Sequence, residues 1–255
     1  MNLALPSTGL DAYKSPRQRT RVATESWGAT NLYCPNCTAE RLFQTRTNAP
    51  AVDFTCRQCE ALFQLKSQKT RIAKRITDAA YSKMCEAIRS DKTPNLLALH
   101  YEHETWKVKN LILVPRFVFS ISCIQKRKPL AAHAERHGWV GCTIVLENIP
   151  PEALIYVVRE GTACSHEDVR NQYGRLRPLG TLDVEKRGWT LDVLRAVRSL
   201  NKADFTLPEV YAYTNALAKL HPKNAHIRDK IRQQLQVLRD LGLLEFLGVG
   251  SYRLR

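Results

Sequence analysis

The chain has 255 residues, of which 44% are apolar, and its 39 Lys+Arg against 24 Asp+Glu give a formal charge of +15 and an isoelectric point near 9.6. No low-complexity tract argues for disorder, no run approaches the roughly 18 apolar residues of a membrane span, and no signal-peptide core opens the sequence, so a folded, cytoplasmic protein without membrane partners is expected. From Asp183 onward there are 13 basic and 8 acidic residues; both parts of the chain are therefore basic, which is the charge pattern of a nucleic-acid binder.

The first twenty residues contain two prolines and scattered polar side chains, which reads as a surface arm. It leads into a helix over 15–27. Two Cys-x-x-Cys pairs follow, Cys34/Cys37 and Cys56/Cys59, and 51–66 reads as two short strands joined by a tight turn. Ile72, Ile76, Ala80, Met84 and Ile88 recur every four residues, which predicts one amphipathic helix. Strand-like runs come at 96–101, 111–114, 143–146 and 154–158. Strands around a helix with short turns predict a mixed α/β domain over 1–182.

From Gly188 the texture changes. Helices are expected over 189–200 and 207–220. Ile227, Ile231, Leu235, Leu238 and Leu241 line one face of a longer helix that Gly242 ends, and the tail from Leu243 folds back around Gly248 and Gly250 as a hairpin. Three helices and a hairpin outline a winged helix-turn-helix domain over 183–255.

The spacing Cys34-x-x-Cys37, eighteen residues, Cys56-x-x-Cys59 fits a four-thiolate zinc site. The competing readings are disulfides, which a reducing compartment disfavours, and a redox pair, which two matched knuckles disfavour. A site closed by four thiolates has no open position, so such a zinc holds structure and does no chemistry. Cys85, Cys123, Cys142 and Cys164 have no paired spacing and read as buried thiols.

Asp53 stands on the strand entering the second knuckle, and Gln64 and Lys66 stand on the strand leaving it. Alternation puts Gln64 and Lys66 on one face, and strand pairing can bring Asp53 to the same face. A carboxylate, an amide oxygen and an ammonium together suit phosphodiester hydrolysis, with Mg2+ (or Mn2+) on Asp53 and Gln64 and with Lys66 beside the phosphate. On spacing alone, however, such residues also occur on many solvated strands. Glu25, on the first helix, is a further carboxylate for this place or a solvated helix residue.

Asp53, ten residues, then Gln64-Leu65-Lys66 resembles the PD-(D/E)XK nuclease signature of an Asp followed by acidic-x-Lys. The whole chain resembles the DpnI-type, Dam-replacing restriction endonucleases. The resemblance is carried by Tyr33-Cys-Pro-Asn-Cys37, Val52-Asp-Phe54, Leu65-Lys-Ser67, Lys128-Pro-Leu-Ala131, Gly138-Trp-x-Gly-Cys142, Arg187-Gly-Trp-Thr190 and Ile231-Arg-Gln-Gln-Leu-Gln236, in colinear order. It implies a PD-(D/E)XK nuclease domain with an inserted four-cysteine zinc site, a C-terminal winged helix, and cutting of double-stranded DNA at GATC when the adenine is N6-methylated. Asp53, Gln64 and Lys66 then take the catalytic positions. Gln64 departs from the usual Glu and removes one negative charge from the metal side, which predicts weaker Mg2+ binding or a preference for Mn2+.

Two DNA-reading surfaces are expected. One is the polar face of the long helix, with Arg228, Lys230, Arg232, Gln233 and Gln234, helped by Arg253 of the hairpin; Arg pairs with guanine and Gln with adenine in the major groove. His226, Arg239, Ser251 and Tyr252 lie beside it, and many such groups touch only phosphates. The other runs from Lys126, Arg127 and Lys128 through Arg136 to Trp139, which the resemblance makes the methyl sensor; on sequence alone Trp139 and Trp189 read equally as core anchors. A methyl-directed type II endonuclease, monomeric in solution, is the leading expectation. The alternative is a non-catalytic zinc and winged-helix DNA-binding regulator in which Gln64 marks a decayed nuclease. An RNA-processing zinc protein is disfavoured by the absence of stacking aromatic clusters.

Overall fold

Helix α1 (Pro16–Asn31) starts where Ser15 is extended and Pro16 supplies a preset φ in the first turn. It buries Ala23, Thr24, Trp27 and Gly28, a stripe at helical spacing, and continues one turn beyond the expected end. The structure, a computed structural model, describes residues 1–46 and 51–255. After α1 come β1 (Phe43–Gln44), β2 (Phe54–Thr55), β3 (Leu62–Gln68) and β4 (Arg75–Ala80), then α2 (Tyr81–Arg89). They are followed by β5 (Asn95–Glu102), β6 (Lys107–Val114), β7 (Ile124–Lys126), β8 (Gly141–Val145), β9 (Ile155–Arg159), β10 (Thr162–Ala163) and α3 (His166–Leu176).

Seven of these strands form one sheet in the order β1-β2-β3-β5-β6-β9-β10, in which only β3 and β5 run parallel. At its centre Leu96–Leu99 and Leu111–Val114 are buried in unbroken runs, as expected of strands covered on both faces. A second sheet, β4-β8-β7, packs with α2. The chain leaves β3 for this second sheet and returns to β5, so the crossover that a parallel pair requires is itself a strand and a helix.

The single amphipathic helix expected through Ile72–Ile88 is not formed. Residues 75–80 are strand β4, and only Tyr81–Arg89 is helical. A spacing of four fits a helix turn and also two steps of a strand, so Ile76 and Met84 are both buried although they belong to different elements.

The C-terminal part contains α4 (Val184–Arg198), β11 (Asp204–Thr206), α5 (Leu207–Tyr211), α6 (Thr214–Leu220), α7 (Ile227–Asp240), β12 (Leu244–Gly248) and β13 (Ser251–Leu254). The expected helix over 207–220 is two short ones, the first opened by a capping box between Thr206 and Glu209. Gly242 at φ 73° ends α7 in the left-handed conformation that favours glycine. The three strands pair as β11-β13-β12, the wing. This part has its own core of Trp189, Val193, Val197, Phe205, Ile231, Leu235 and Leu238. Ser122 of the α/β part donates to Asp192 of α4 at 2.6 Å, and Asp192 meets His221 at 2.9 Å, joining the two parts through a buried carboxylate.

Gln234 was expected on the reading face and lies elsewhere. It is fully buried and accepts from the Thr190 hydroxyl at 2.7 Å. Its position, three after Ile231 and four before Leu238, is on the inward stripe of α7, so it is a satisfied core polar group and not a base reader.

Candidate active site

The two knuckles fold their thiols together. Cys34 and Cys59 lie 3.6 Å apart, as do Cys37 and Cys56, and all four sulfurs fall within 4.8 Å of one another. A tetrahedral zinc at about 2.3 Å from each thiolate spaces them about 3.8 Å apart, so the cluster fits the ion. Burial pushes the thiols of Cys34 and Cys37 up. Burial also raises Cys59, but the Asn36 amide, the Ala61 backbone and the neighbouring thiols outweigh it and bring that thiol to about 7. Helix α3 braces the cluster: Arg170 donates to the carbonyls of Cys34 and Ala39, and His166 stacks on Tyr33. Of the other cysteines, Cys85, Cys123 and Cys142 are buried as expected, whereas Cys164 is partly exposed.

The second knuckle joins β2 to β3, and the chain places Asp53 just before it and Gln64 and Lys66 just after. The Asp53 carbonyl is turned to β1, where it accepts from Thr45 N at 2.9 Å. Its carboxylate instead accepts the β3 amide of Leu65, through Oδ2 at 2.7 Å. One carboxylate oxygen is thus anchored in the sheet. Asp53, Gln64 and Lys66 all line one pocket of about 290 Å3, together with Arg21 and Glu25 of α1, Gln44 and Arg46. The expected constellation is therefore brought together.

Glu25 is in the pocket and not a freely solvated helix residue. Its side chain is 15% exposed, is paired with Arg21 at 2.9 Å, and accepts from Gln44 at 2.9 Å. Burial holds its carboxyl above the usual range; the Arg21 charge pulls it back and the nearby Asp53 charge pushes it up again. Two carboxylates in one pocket, with the Gln64 amide beside them, form an oxygen donor set suited to a hard divalent cation. Arg21, Arg46 and Lys66 supply positive charge around the same space, which favours an anionic ligand.

Sequence reasoning missed Asp78. It is buried on β4, with Lys66 Nζ at 2.6 Å and the Gln64 amide nitrogen at 3.4 Å from its Oδ1. It comes from the second sheet, on the strand read as part of a helix, and no spacing linked it to Lys66.

The expected DNA-reading residues fall into two exposed groups. Lys126, Arg127, Lys128 and Arg136 are exposed on and beyond β7, and Arg136 stacks over the partly exposed ring of Trp139 at 4.9 Å. Trp189, by contrast, is a core anchor, buried against His221. Arg228, Arg232 and Gln233 are exposed along α7, with Lys230 partly so. Arg232 donates to the Tyr211 hydroxyl at 2.6 Å, and Arg253 of the wing is paired with Asp204 at 2.7 Å.

An α/β sheet domain of PD-(D/E)XK type that carries a four-cysteine cluster, followed by a winged helix-turn-helix domain, is the class these features define. Residues 1–181 match the family model described as the Dam-replacing family, DpnI, and residues 185–254 match the Dam-replacing HTH domain. The chain belongs to the Dam-replacing family. Its second domain is of a DNA-binding type, and among the described residues no helix is long and apolar enough to cross a membrane.

Proposed function

We propose that this chain is a type II, methyl-directed restriction endonuclease that hydrolyses phosphodiester bonds of double-stranded DNA at GATC sites containing N6-methyladenine. The observation that carries the reading is the convergence of Asp53, Gln64, Lys66 and Glu25 on one charged pocket in a chain of this family. Asp53 and Gln64 would hold Mg2+ or Mn2+, with Glu25 as a further carboxylate. When bound, such an ion acidifies a coordinated water and offsets charge on the scissile phosphate. Lys66 would place the attacking water and offset charge on the scissile phosphate while the water oxygen bonds to phosphorus, one ester P–O bond breaks, and the water proton passes through solvent to the departing alkoxide. Arg21 and Arg46 hold the flanking phosphates. Zinc on Cys34, Cys37, Cys56 and Cys59 has a structural role, keeping the β2–β3 turn and hence Asp53 and Gln64 in register.

The division of the chain at 182/183 belongs to this reading and is supported by two apolar cores, of which the second lies wholly beyond it while Leu191 of α4 packs into the first. Arg228, Lys230, Arg232, Gln233 and Arg253 would meet one stretch of duplex, and Lys126, Arg127, Lys128 and Arg136 the other. Trp139, stacked under Arg136, offers an apolar face to the adenine methyl, a contact worth about 1 kcal/mol by transfer. Asp53→Asn tests the assignment. It should abolish cutting of methylated duplex while leaving DNA binding in place; cutting at the normal rate would remove Asp53 from the site.

A further inference from the structure

The pocket contains an amide where a second carboxylate is the simpler choice, and an amide presents oxygen on only one side. Whether Gln64 offers its oxygen or its nitrogen to the pocket depends on what lies behind it. Behind it is Asp78, whose side chain is 2% exposed and which accepts from the Gln64 nitrogen at 3.4 Å and from Lys66 Nζ at 2.6 Å. An ionised carboxylate only accepts hydrogen bonds, so it selects the nitrogen side of the amide. The rest of that inner wall is a small cavity of about 70 Å3, mostly apolar (Met84, Leu96, Phe119 and Ile144) with Lys83 and Thr93 also on its lining, and the Gln64 amide nitrogen takes Asp78 as its partner there. Asp78 sits at an irregularity of the β4–β8 ladder, where pairing shifts between Asp78 and Ala80; such a bulge re-aims a side chain out of its ordinary alternation.

We propose that Asp78 is a positioning residue for the metal-dependent reaction: it keys the Gln64 amide with nitrogen inward and oxygen toward the pocket, and tethers Lys66 beside it. Gln64 thereby becomes an oxygen donor equivalent to one half of a carboxylate. The inference rests on the nuclease reading for its purpose, but the keyed contact can be measured without cutting.

The test is a double-mutant cycle read by Mn2+ binding to the full-length zinc-loaded chain, with cleavage of methylated duplex followed in parallel. Asp78→Asn removes the one-sided acceptor and should weaken Mn2+ by about tenfold to a hundredfold, the usual cost of losing a partner behind a metal ligand. Gln64→Glu combined with Asp78→Asn should recover wild-type affinity or better, because a carboxylate presents oxygen whichever way it turns. Unchanged Mn2+ affinity in Asp78→Asn, or a double variant no better than Asp78→Asn alone, overturns the proposal.

Selective glutamine labelling of the unmutated chain gives a second reading that needs no variant to fold. On Mg2+ addition the side-chain carbonyl carbon of Gln64 should shift while its amide protons stay protected from solvent; freely exchanging amide protons overturn the keyed orientation. A chain that binds Mn2+, shows the coupled cycle and cuts nothing sinks the nuclease reading and leaves the placement of Asp78 standing. A chain that cuts with an additive cycle does the reverse, and one that binds no Mn2+ removes both.

Discussion

Gly28 makes the packing of α1 on the sheet directly testable, because a single added methyl has opposite consequences at two helical glycines. A Cβ at Gly28 would lie 2.6 Å from the Phe54 ring and 3.0 Å from Leu32. Ordinary carbon contacts lie at about 3.5–4.0 Å, so the ring must give way by roughly 1 Å. It cannot do so cheaply, since Phe54 is fully buried and follows Asp53, whose carboxylate is tied to β3. Overpacking of this kind costs about 1–3 kcal/mol, against which alanine regains about 1 kcal/mol of helix propensity. Gly28→Ala should therefore destabilise by up to about 2 kcal/mol, lowering the melting temperature by up to roughly 8 °C for a chain of this size. The matched control is Gly188→Ala in α4, where an added Cβ meets nothing within 4 Å and should stabilise by up to about 1 kcal/mol. Because α1 carries Arg21 and Glu25, Gly28→Ala should also slow cutting while Gly188→Ala does not. Thermal melts and cleavage time courses of both variants decide the matter. If Gly28→Ala melts above wild type, as Gly188→Ala should, α1 is not clamped on β2 by this contact.

Three further outcomes follow from the same geometry. Metal analysis should find one zinc per chain, and Cys37→Ser should lower both zinc content and melting temperature; an ion held at a thousand times its Kd contributes about 4 kcal/mol. Thr190→Val leaves the buried Gln234 oxygen unpaired and should cost about 1–3 kcal/mol in denaturant titration, whereas no change would return Gln234 to the surface. The Glu209 carboxyl is held down at about 2, chiefly by Lys202 and then by the Thr206 backbone and hydroxyl. A depressed carboxyl stabilises the fold above its unfolded value near 4.5 and loses that contribution as pH falls through about 2. Glu209→Gln should therefore be less stable than wild type at neutral pH, with the gap closing on acidification in pH-dependent melts.

The zinc spacing and the facing pair Gln64 and Lys66 were legible in the sequence because both depend on local arithmetic: a two-residue gap in a knuckle and a two-residue period on a strand. The winged helix was legible from the inward stripe of α7 and from Gly242. What was not legible came from elsewhere in the chain. Asp78 meets Lys66 only because a second sheet folds beneath the first, and its polar side chain interrupts the alternation that would have marked β4 as a strand. Gln234 reads as a surface group by its polarity although its position is on the inward stripe, and its partner Thr190 lies on another helix. The role of Glu25 was ambiguous because a helix face says nothing of what lies across from it; Asp53 and Gln44 settle its surroundings.

Methyl-directed cutting is proposed to come from the pocket of Asp53, Gln64 and Lys66. Its most direct test is digestion of one plasmid prepared with and without GATC adenine methylation, in Mg2+ and in Mn2+, beside Lys66→Ala. Only the methylated plasmid should be cut, and the variant should not cut it. Intact plasmid in both metals, with methyl-specific binding retained, would contradict that reading and leave a DNA-binding regulator in which Gln64 marks the lost activity.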